Sequence, residues 1–333
     1  MNEPPALRVD DLRVTFRTPA GDVHAVSGVN ITVGAGERIG LVGESGSGKT
    51  ATALAISGLL PPAARVTGSI RLAGEDVAGL GKRERRKLCG SRIGMIFQNP
   101  QSSLNPAMTI GEQIAEPLRL HLGLSRAAAR GRSLELLGEV GIPTPARSFD
   151  EYPHRFSGGM RQRAMIAIAL SCGPKLIIAD EPTTALDMTI QAQILELLAA
   201  RCLEHGTALL VITHDLGVLA GLADRILVMY AGTILEEGPT DSIYYRARNP
   251  YTLALLEAVS RIDGPLDKLR PIPGDPPSGL ERTAGCVFHQ RCAHAIDLCH
   301  TEVPMLVPAA DPGHRCACHL AERIGGPLPA GAR

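Results

Sequence analysis

The chain contains no tryptophan, few other aromatic residues and no excess of charge of either sign. Its 333 residues include 5 Phe and 5 Tyr, and 34 Lys and Arg residues balance 34 Asp and Glu residues. Scarce aromatics argue against a stacking platform for single-stranded nucleic acid. Because the charges balance, the chain has no net positive charge that would attract nucleic acid or acidic lipid. With 44% hydrophobic residues, the chain can still bury one large core or two modest ones.

Long hydrophobic runs are missing as well. The first residues, MNEPPALRVDDLRV, contain no basic segment followed by an apolar one, as a secretion signal would. Nowhere do about 18 apolar residues follow one another, the length needed to cross a bilayer. We therefore expect a chain that is neither secreted nor membrane-spanning by itself.

Cysteine is distributed unevenly. Of the 8 cysteines, five crowd one C-terminal stretch: Cys286, Cys292, Cys299, Cys316 and Cys318. Because no export signal is evident, we expect a reducing compartment, where metal binding is favoured over a disulfide framework.

Hydrophobic periodicity predicts a mixed α/β fold. Residues 7–34 alternate apolar and polar positions, which is typical of strands with one buried face and predicts a small antiparallel sheet. The segments 38–43, 175–180 and 208–213 are short and β-rich, and each precedes a helical pattern. Such alternation indicates a parallel sheet.

The other segments indicate the domain organisation. Residues 98–163 have apolar positions at helical spacing and predict an inserted helical subdomain. Two strands joined at Ala231-Gly232 are expected after Asp224, and residues 264–284, rich in Pro and Gly, are expected to be a linker. The predicted parts are a core of residues 1–97 and 164–240, a helical subdomain of residues 98–163 and a C-terminal extension of residues 241–333.

The strongest motif is a complete GxxxxGK[ST] sequence between a predicted strand and a predicted helix. Its residues are Gly43, Glu44, Ser45, Gly46, Ser47, Gly48, Lys49 and Thr50. The glycines let backbone N–H groups cradle phosphate oxygens at the helix N-terminus. We expect Lys49 to reach the terminal phosphates and Thr50 to coordinate Mg²⁺. The helix is predicted to begin near Lys49 and to stop at Pro61-Pro62; a chance glycine-rich turn is the alternative.

Two carboxylates, Asp180 and Glu181, end another buried strand, where the loops of a parallel sheet meet their ligand. Asp180 is expected to hold Mg²⁺ through water, and Glu181 to polarise the attacking water. Acidic residues at strand ends are also common as helix caps. The catalytic interpretation of this pair therefore depends on the presence of the phosphate loop.

The segment FSGGMRQR at residues 156–163 resembles the signature motif of ABC ATPases. Ser157-Gly158-Gly159 would form a second helix N-terminus that binds an anion. In the family this motif completes the ATP site of a partner subunit, which implies two nucleotides sandwiched in a head-to-tail dimer. Phe156 and Met160 stand where the family usually has Leu and Gln, so the contacts of that Gln side chain are not expected in this chain.

The remaining landmarks of the family occur in the same order: Gln98, Ala185-Leu186-Asp187 and His214. The resemblance covers residues 7–240 and implies an α/β, ABC-type P-loop ATPase with a RecA-like parallel-sheet core. It also implies that Gln98 senses Mg²⁺ and a membrane partner, and that His214 hydrogen-bonds the γ-phosphate and holds Glu181 and water in place. Alone, Gln98 would indicate a turn and His214 a helix cap.

An aromatic side chain is expected to stack on the adenine ring. Phe16 lies where the family resemblance places this residue, and stacking on a ring face tolerates varied geometry. His24 is the second candidate. A plain core role for Phe16 is the alternative.

The stretches 152–163, 179–187 and 249–256 are similar to ATPases of dipeptide, oligopeptide and nickel importers, and the tail extends the match to Leu320. Met160 and Thr183-Thr184 look more like the first of the two ATPases that such importers carry. The resemblance implies an ATP-hydrolysing subunit that powers peptide import from the cytoplasmic face of the membrane. Its implied partners are a second ATPase in a heterodimer, two permease subunits and an extracytoplasmic binding protein, without nucleic acid.

Two other functions are less consistent with the sequence. A soluble ABC ATPase acting on nucleic acid or ribosomes usually has coiled-coil insertions, tandem heads or basic patches, and none is obvious in this chain. A P-loop kinase or switch GTPase would give Ser157-Gly158-Gly159 no role. The importer is therefore favoured, with peptide as the expected solute and nickel as the alternative.

The C-terminal cysteines predict a [4Fe–4S] cluster held by Cys286, Cys292, Cys299 and Cys318. Zinc is the alternative, because Cys316-Ala-Cys318 is closely spaced, although the dense CxxC pairs of structural zinc sites are missing. A set of buried, unligated cysteines is disfavoured, since little core is expected there. The family resemblance favours iron, and Cys318 over Cys316, with a structural role that pins the extension to the head.

Overall fold

The computed structural model of the protein describes residues 4–183, 187–258, 272–277, 279–280, 284–309 and 311–324. Thr184, Ala185, Leu186 and most of the predicted linker 264–284 lie outside the described residues. In the part of the chain that is described, none of the helices combines the length and the apolar character that a membrane crossing requires.

Strands and helices alternate along most of the described chain. The strands are β1 (Leu7–Thr18), β2 (Gly21–Val33), β3 (Arg38–Val42), β4 (Ala64–Leu72), β5 (Glu75–Asp76), β6 (Ile93–Ile96), β7 (Leu176–Asp180), β8 (Ala208–Thr213), β9 (Arg225–Tyr230), β10 (Thr233–Pro239), β11 (Val307–Pro308) and β12 (Arg315–Cys316). The helices are α1 (Lys49–Ser57), α2 (Lys82–Leu88), α3 (Pro100–Ser103), α4 (Ile110–Leu122), α5 (Arg126–Glu139), α6 (Pro145–Phe149), α7 (Gly158–Leu170), α8 (Met188–Glu204), α9 (Thr240–Arg246), α10 (Pro250–Ala258) and α11 (Asp297–Thr301).

The N-terminal strands form an antiparallel sheet in the order β2-β1-β4-β5. In β1, the buried side chains of Leu7 and Val9 are separated by an exposed residue, and Leu12 and Val14 repeat the pattern after a register shift. This alternation buries one face, as two-residue periodicity requires. The predicted antiparallel sheet is confirmed, and β4 and β5 extend it beyond the predicted segment.

The larger sheet has the order β11-β12-β10-β9-β3-β8-β7-β6 among the described residues. Its strands β6, β7, β8, β3 and β9 are parallel. Every residue of β7 and β8 is buried, as expected for strands of a parallel sheet covered on both faces. The carboxyl ends of β3, β7 and β8 therefore lie at one edge, and the predicted combination of a parallel and an antiparallel sheet is confirmed.

Local turn chemistry explains where two predicted elements end. Ala231 and Gly232, both at positive φ, join β9 and β10, as the sequence predicted. Helix α1 begins at Lys49 as predicted but ends at Ser57, because Gly58 adopts a left-handed conformation and its N–H bonds the last turn. The predicted stop at Pro61-Pro62 is therefore wrong.

The C-terminal segment is joined to the main sheet by a buried polar cluster. Strand β12 pairs with β10, placing Cys316 opposite Glu236. The fully buried Glu236 carboxylate accepts hydrogen bonds from the N–H groups of Arg248 (2.6 Å) and Asn249 (3.2 Å) and lies 2.8 Å from Nε2 of His314. The expectation of little core in this region is wrong, since Cys316 is itself buried.

Glu236→Gln should destabilise this junction. The isosteric amide would direct its NH₂ group at one of the donors that the carboxylate now accepts, leaving buried polar atoms unpaired. The expected cost is about 1–3 kcal/mol, measured as a lower midpoint of thermal unfolding. Glu257→Gln, at an exposed site in α10, is the matched control. Equal midpoints for the two variants would contradict the assignment.

Candidate functional site

A glycine-rich loop runs from the end of β3 into α1. Gly48 is the residue before the helix, with φ of +103°. A Cβ atom on Gly48 would lie 2.3 Å from the carbonyl oxygen of Ala25, and one on Gly43 would lie 2.1 Å from that of Met229. Only glycine fits at these two places, and the loop consequently presents backbone rather than side chains at the helix N-terminus.

Lys49 is buried beneath this loop, with 5% of its surface exposed. Its Nζ donates hydrogen bonds to the carbonyl oxygens of Gly43 (2.7 Å) and Glu44 (2.8 Å). Burial lowers the pKa of Lys49, while nearby carboxylates act in the opposite direction: Glu181, Asp180 and Glu44. A partly desolvated ammonium in this position is suited to bind an anion.

Asp180 at the end of β7 and Ser47 in the loop have unused polar atoms. Oδ1 of Asp180 and Oγ of Ser47 are buried and have no hydrogen-bond partner among the described residues. Burial raises the pKa of Asp180, and a hydrogen bond from Thr50 partly opposes this shift. The buried carboxylate of Asp180 beside the hydroxyl of Thr50 is the type of oxygen ligand set that Mg²⁺ prefers, so these two residues fit the ion.

Three predicted catalytic side chains meet just beyond β7. Nε2 of Gln98 donates to Oε2 of Glu181 at 2.8 Å, and Nδ1 of His214 lies 3.1 Å from Oε1. Glu181 has φ of +47°, and its N–H donates to the carbonyl oxygen of Ile212 at 2.8 Å. Such a backbone conformation is strained for a residue with a side chain and is common at functional sites. Both carboxylate oxygens are thereby oriented.

The signature segment lies on the helical insert. Oγ of Ser157 accepts a hydrogen bond from the N–H of Met160 at 3.3 Å and caps α7. Ser157 and Gly158 are exposed, whereas Phe156, which precedes them, is buried. Within the described part of the chain, Ser157 makes no hydrogen bond to the phosphate loop. The N-terminus of α7 is therefore exposed at the surface of the chain.

The two predicted adenine contacts differ in position. Phe16 is half-buried and packs against the core that the antiparallel sheet shares with α1. Its cross-strand partner is Val23, whereas His24 pairs with Thr15, so Phe16 and His24 point to opposite faces of the sheet. Among the described residues, His24 and Gly46 help to line a cavity of about 290 Å³, and Phe16 does not.

Two side chains that no sequence motif indicated, those of Arg291 and Tyr251, contact the phosphate loop. The carboxylate of Glu44 accepts hydrogen bonds from Arg291 in the C-terminal extension, at 2.6 and 3.0 Å. The N–H of Glu44 donates to the hydroxyl of Tyr251 at 2.8 Å. Tyr251 lies in the stretch 249–256 and Arg291 lies in the C-terminal tail, and both segments carried the family resemblance. That placement was the available signal, but the sequence did not indicate what they contact.

Four thiols of the extension lie within electrostatic reach of one another: Cys286, Cys292, Cys299 and Cys318. Burial raises the pKa of Cys286 and Cys292, and raises that of Cys318 to about 11. Cys316 is buried beside Glu236 and, of these four thiols, interacts with Cys318. The described residues nevertheless contain no group of three or more His, Cys, Asp or Glu side chains arranged to hold a single metal ion.

Known proteins match most of the chain. A family described as ABC transporter matches residues 26–184, and the C-terminal region of oligopeptide/dipeptide transporters matches residues 235–299. The oligopeptide transport ATP-binding protein OppD of Salmonella typhimurium is 50% identical over 312 residues, which cover 94% of this chain and 92% of that protein. OppD of Haemophilus influenzae is 48% identical over 295 residues, covering 89% and 91%.

Solved structures show the same fold. The chain is similar to a dimeric ATP-binding cassette in a post-hydrolysis state bound to ADP and Pi, with a TM-score of 0.63 and 30% identity. That likeness covers 70% of this chain and 98% of the other. A cassette-type ATPase core and an additional C-terminal region are therefore both represented among known proteins.

Lys49→Ala should weaken ATP binding, because the buried ammonium that faces the loop would be lost. Loss of a charge-assisted hydrogen bond of about 1.5–3 kcal/mol corresponds to roughly a 10- to 100-fold rise in Kd. Equilibrium titration with a non-hydrolysable ATP analogue measures the change. Lys175→Ala, at an exposed site before β7, serves as the control. Undiminished affinity in the Lys49 variant would contradict the role of this residue.

Proposed function

The chain belongs to the ABC transporter family, as an ATP-binding subunit of the oligopeptide type, and from this premise we propose how its residues power peptide import. It is an ATPase, and ATP hydrolysis supplies the energy for import. The observation that carries the proposed mechanism is the oriented Glu181, held by Gln98 and His214 beside the phosphate loop.

In the proposed mechanism, the phosphate loop binds ATP. The N–H groups from Gly43 to Thr50 surround the phosphates, and Lys49 leaves its carbonyl partners to neutralise the terminal oxygens. Thr50 and Asp180 would hold Mg²⁺, with Gln98 as a further ligand. The ion, when bound, neutralises charge that develops on the phosphates. The unpaired oxygen of Asp180 supports this assignment.

Glu181 then orients and polarises the attacking water. Hydrolysis in line with the leaving group requires a positioned nucleophile, and a carboxylate fixed at both oxygens supplies this orientation. His214, which is largely exposed, is close enough to Glu181 to hold it while contacting the γ-phosphate. Gln98 connects this carboxylate to the helical insert that follows it. Phe16 remains the proposed adenine contact.

Ser157-Gly158-Gly159 would complete the ATP site of a second subunit in a head-to-tail dimer. Exposure of Ser157 and Gly158 at the N-terminus of α7 supports this role, because an anion can approach from outside the subunit. We propose a heterodimer with a second ATPase. Two membrane permeases and an extracytoplasmic peptide-binding protein would complete the importer. Attachment to the permeases would place the chain at the cytoplasmic face of the membrane.

The cysteines of the extension are proposed to hold a [4Fe–4S] cluster. Convergence of Cys286, Cys292, Cys299 and Cys318 supports this ligand set. The interaction of Cys318 with all three of the other thiols supports it, rather than Cys316, as the fourth member. A single zinc ion would need all its sulfur ligands within about 2.3 Å of one centre. A [4Fe–4S] cluster is larger, so its sulfur ligands can lie further apart. Bound iron would stabilise the thiolates despite their raised pKa values and pin the extension to the head.

Glu181→Gln should abolish peptide import while ATP binding persists. The amide keeps the side-chain shape but loses the base, so hydrolysis should fall about 10²–10⁴-fold. ATP turnover and uptake of a labelled oligopeptide are measured in one reconstituted complex with permeases and binding protein. Glu196→Gln, on the exposed face of α8, is the control. Near-normal turnover would contradict the role of Glu181, and uptake of nickel without peptide would contradict the substrate.

Cys292→Ser should remove the cluster without changing the phosphate loop. Anaerobically purified wild-type protein should be brown and contain iron and acid-labile sulfide, and the variant should lose both. Cys172→Ser, remote from the extension in sequence, should retain them. Stoichiometric zinc without sulfide in the wild-type protein would overturn the cluster assignment.

A further inference from the structure

A buried ion pair joins the C-terminal extension to the phosphate loop. Nη1 and Nη2 of Arg291 donate to the two carboxylate oxygens of Glu44, at 2.6 and 3.0 Å. Only 5% of the Arg291 side chain and 26% of the Glu44 side chain are exposed. The two residues are 247 positions apart in the sequence. This two-pronged geometry is the strong form of a charge-assisted hydrogen bond.

Arg291 is itself held in place by its surroundings. Its Nε donates to the carbonyl oxygen of Pro273 at 2.8 Å, and its Nη2 to that of Ile272 at 3.3 Å. Its Nη1 also donates to the hydroxyl of Tyr230 at 3.2 Å. Hydrogen bonding to Glu44 raises the pKa of Arg291 further, so the guanidinium stays charged. The pair is therefore a fixed contact rather than a mobile surface one.

The backbone of Glu44 is fixed from the same side. Its N–H donates to the hydroxyl of Tyr251, and its carbonyl oxygen accepts from Lys49. Tyr251 packs against Tyr230 and Phe288, with ring centroids 4.7 and 5.3 Å away. Phe288 and Arg291 both belong to the extension. Residue 44 of the loop is thus positioned by side chains that follow the cassette core in sequence.

Glu44 also presents an electrostatic problem that Arg291 solves. A carboxylate in a loop that receives phosphates would repel them, and the repulsion is strong where water is largely excluded. A guanidinium paired with both oxygens cancels that charge locally. An extension without Arg291 would leave the negative charge of Glu44 uncompensated in the phosphate loop, near Lys49.

We propose that Arg291 is a positioning residue of the nucleotide site, which neutralises Glu44 and orders the loop for ATP. The proposal rests on the proposed role of the loop in ATP binding. Since both effects act on the bound state before hydrolysis, they change the affinity for ATP rather than the rate at saturation. The C-terminal extension is therefore part of the ATP site.

The test compares affinity and turnover in the full chain assembled with its transporter partners. Arg291→Ala should raise the Kd for the non-hydrolysable analogue AMP-PNP about tenfold or more, while kcat at saturating ATP stays within about twofold. The Kd of Arg291→Lys should lie between those of Arg291→Ala and the wild-type protein, because lysine keeps the charge without the bidentate contact. Arg315→Ala, whose arginine pairs with Glu237 in the same extension, is the matched control and should leave Kd unchanged.

A second substitution tests whether the effect runs through Glu44. In the Arg291→Ala protein, Glu44→Gln removes the uncompensated charge and should recover part of the lost affinity. No recovery, an unchanged Kd in Arg291→Ala, or a fall in kcat alone would each overturn the proposal. The iron content and the unfolding midpoint are measured for every variant. If Arg291→Ala does not fold, Glu44→Gln by itself tests whether the charge at residue 44 affects the affinity for AMP-PNP.

Lys49→Ala separates this proposal from the one on which it rests. If Lys49→Ala weakens binding of AMP-PNP and Arg291→Ala does not, only the role of Arg291 is wrong. If Lys49→Ala also leaves the affinity unchanged, the assignment of the loop to ATP fails with it.

Discussion

The arrangement of the site depends on one buried ammonium group. Lys49 lies under the phosphate loop, where burial disfavours its charge. Carboxylates from two separate parts of the chain compensate for this: Glu44 in the phosphate loop, and Asp180 and Glu181 at the end of β7. The parallel sheet makes this possible, because the ends of β3 and β7 lie at the same edge.

Each of these carboxylates has a different environment, and the differences define their proposed roles. Asp180 is buried with one oxygen unpaired, which suits an ion that takes oxygen ligands. Glu181 is held at both oxygens by side chains that leave it near solvent, which suits a group that orients water. Glu44 is neutralised by Arg291, so it can remain in the loop without repelling phosphate.

The C-terminal extension is integrated with the core at two places. Strand β12 continues the main sheet, with Glu236 and His314 buried at the junction. Arg291 reaches the phosphate loop from the same region that carries the clustered cysteines. The cysteines are remote from the ATP motifs in sequence, yet Cys292 directly follows the residue that contacts the loop. Any group bound by these thiols would therefore lie close to the nucleotide site.

The sequence by itself determined the fold class, the phosphate loop and the identity of the residues around it, because these depend on local patterns. Two-residue periodicity predicted the antiparallel sheet, and GxxxxGK[ST] between a strand and a helix located the loop. Glu181 was predicted from its place at the end of a buried strand, and Gln98 and His214 from family landmarks. What only the tertiary structure decided were contacts between residues far apart in the chain. The Arg291–Glu44 pair, the burial of Cys316 and the opposite orientations of Phe16 and His24 depend on strand pairing and packing, which no local pattern encodes.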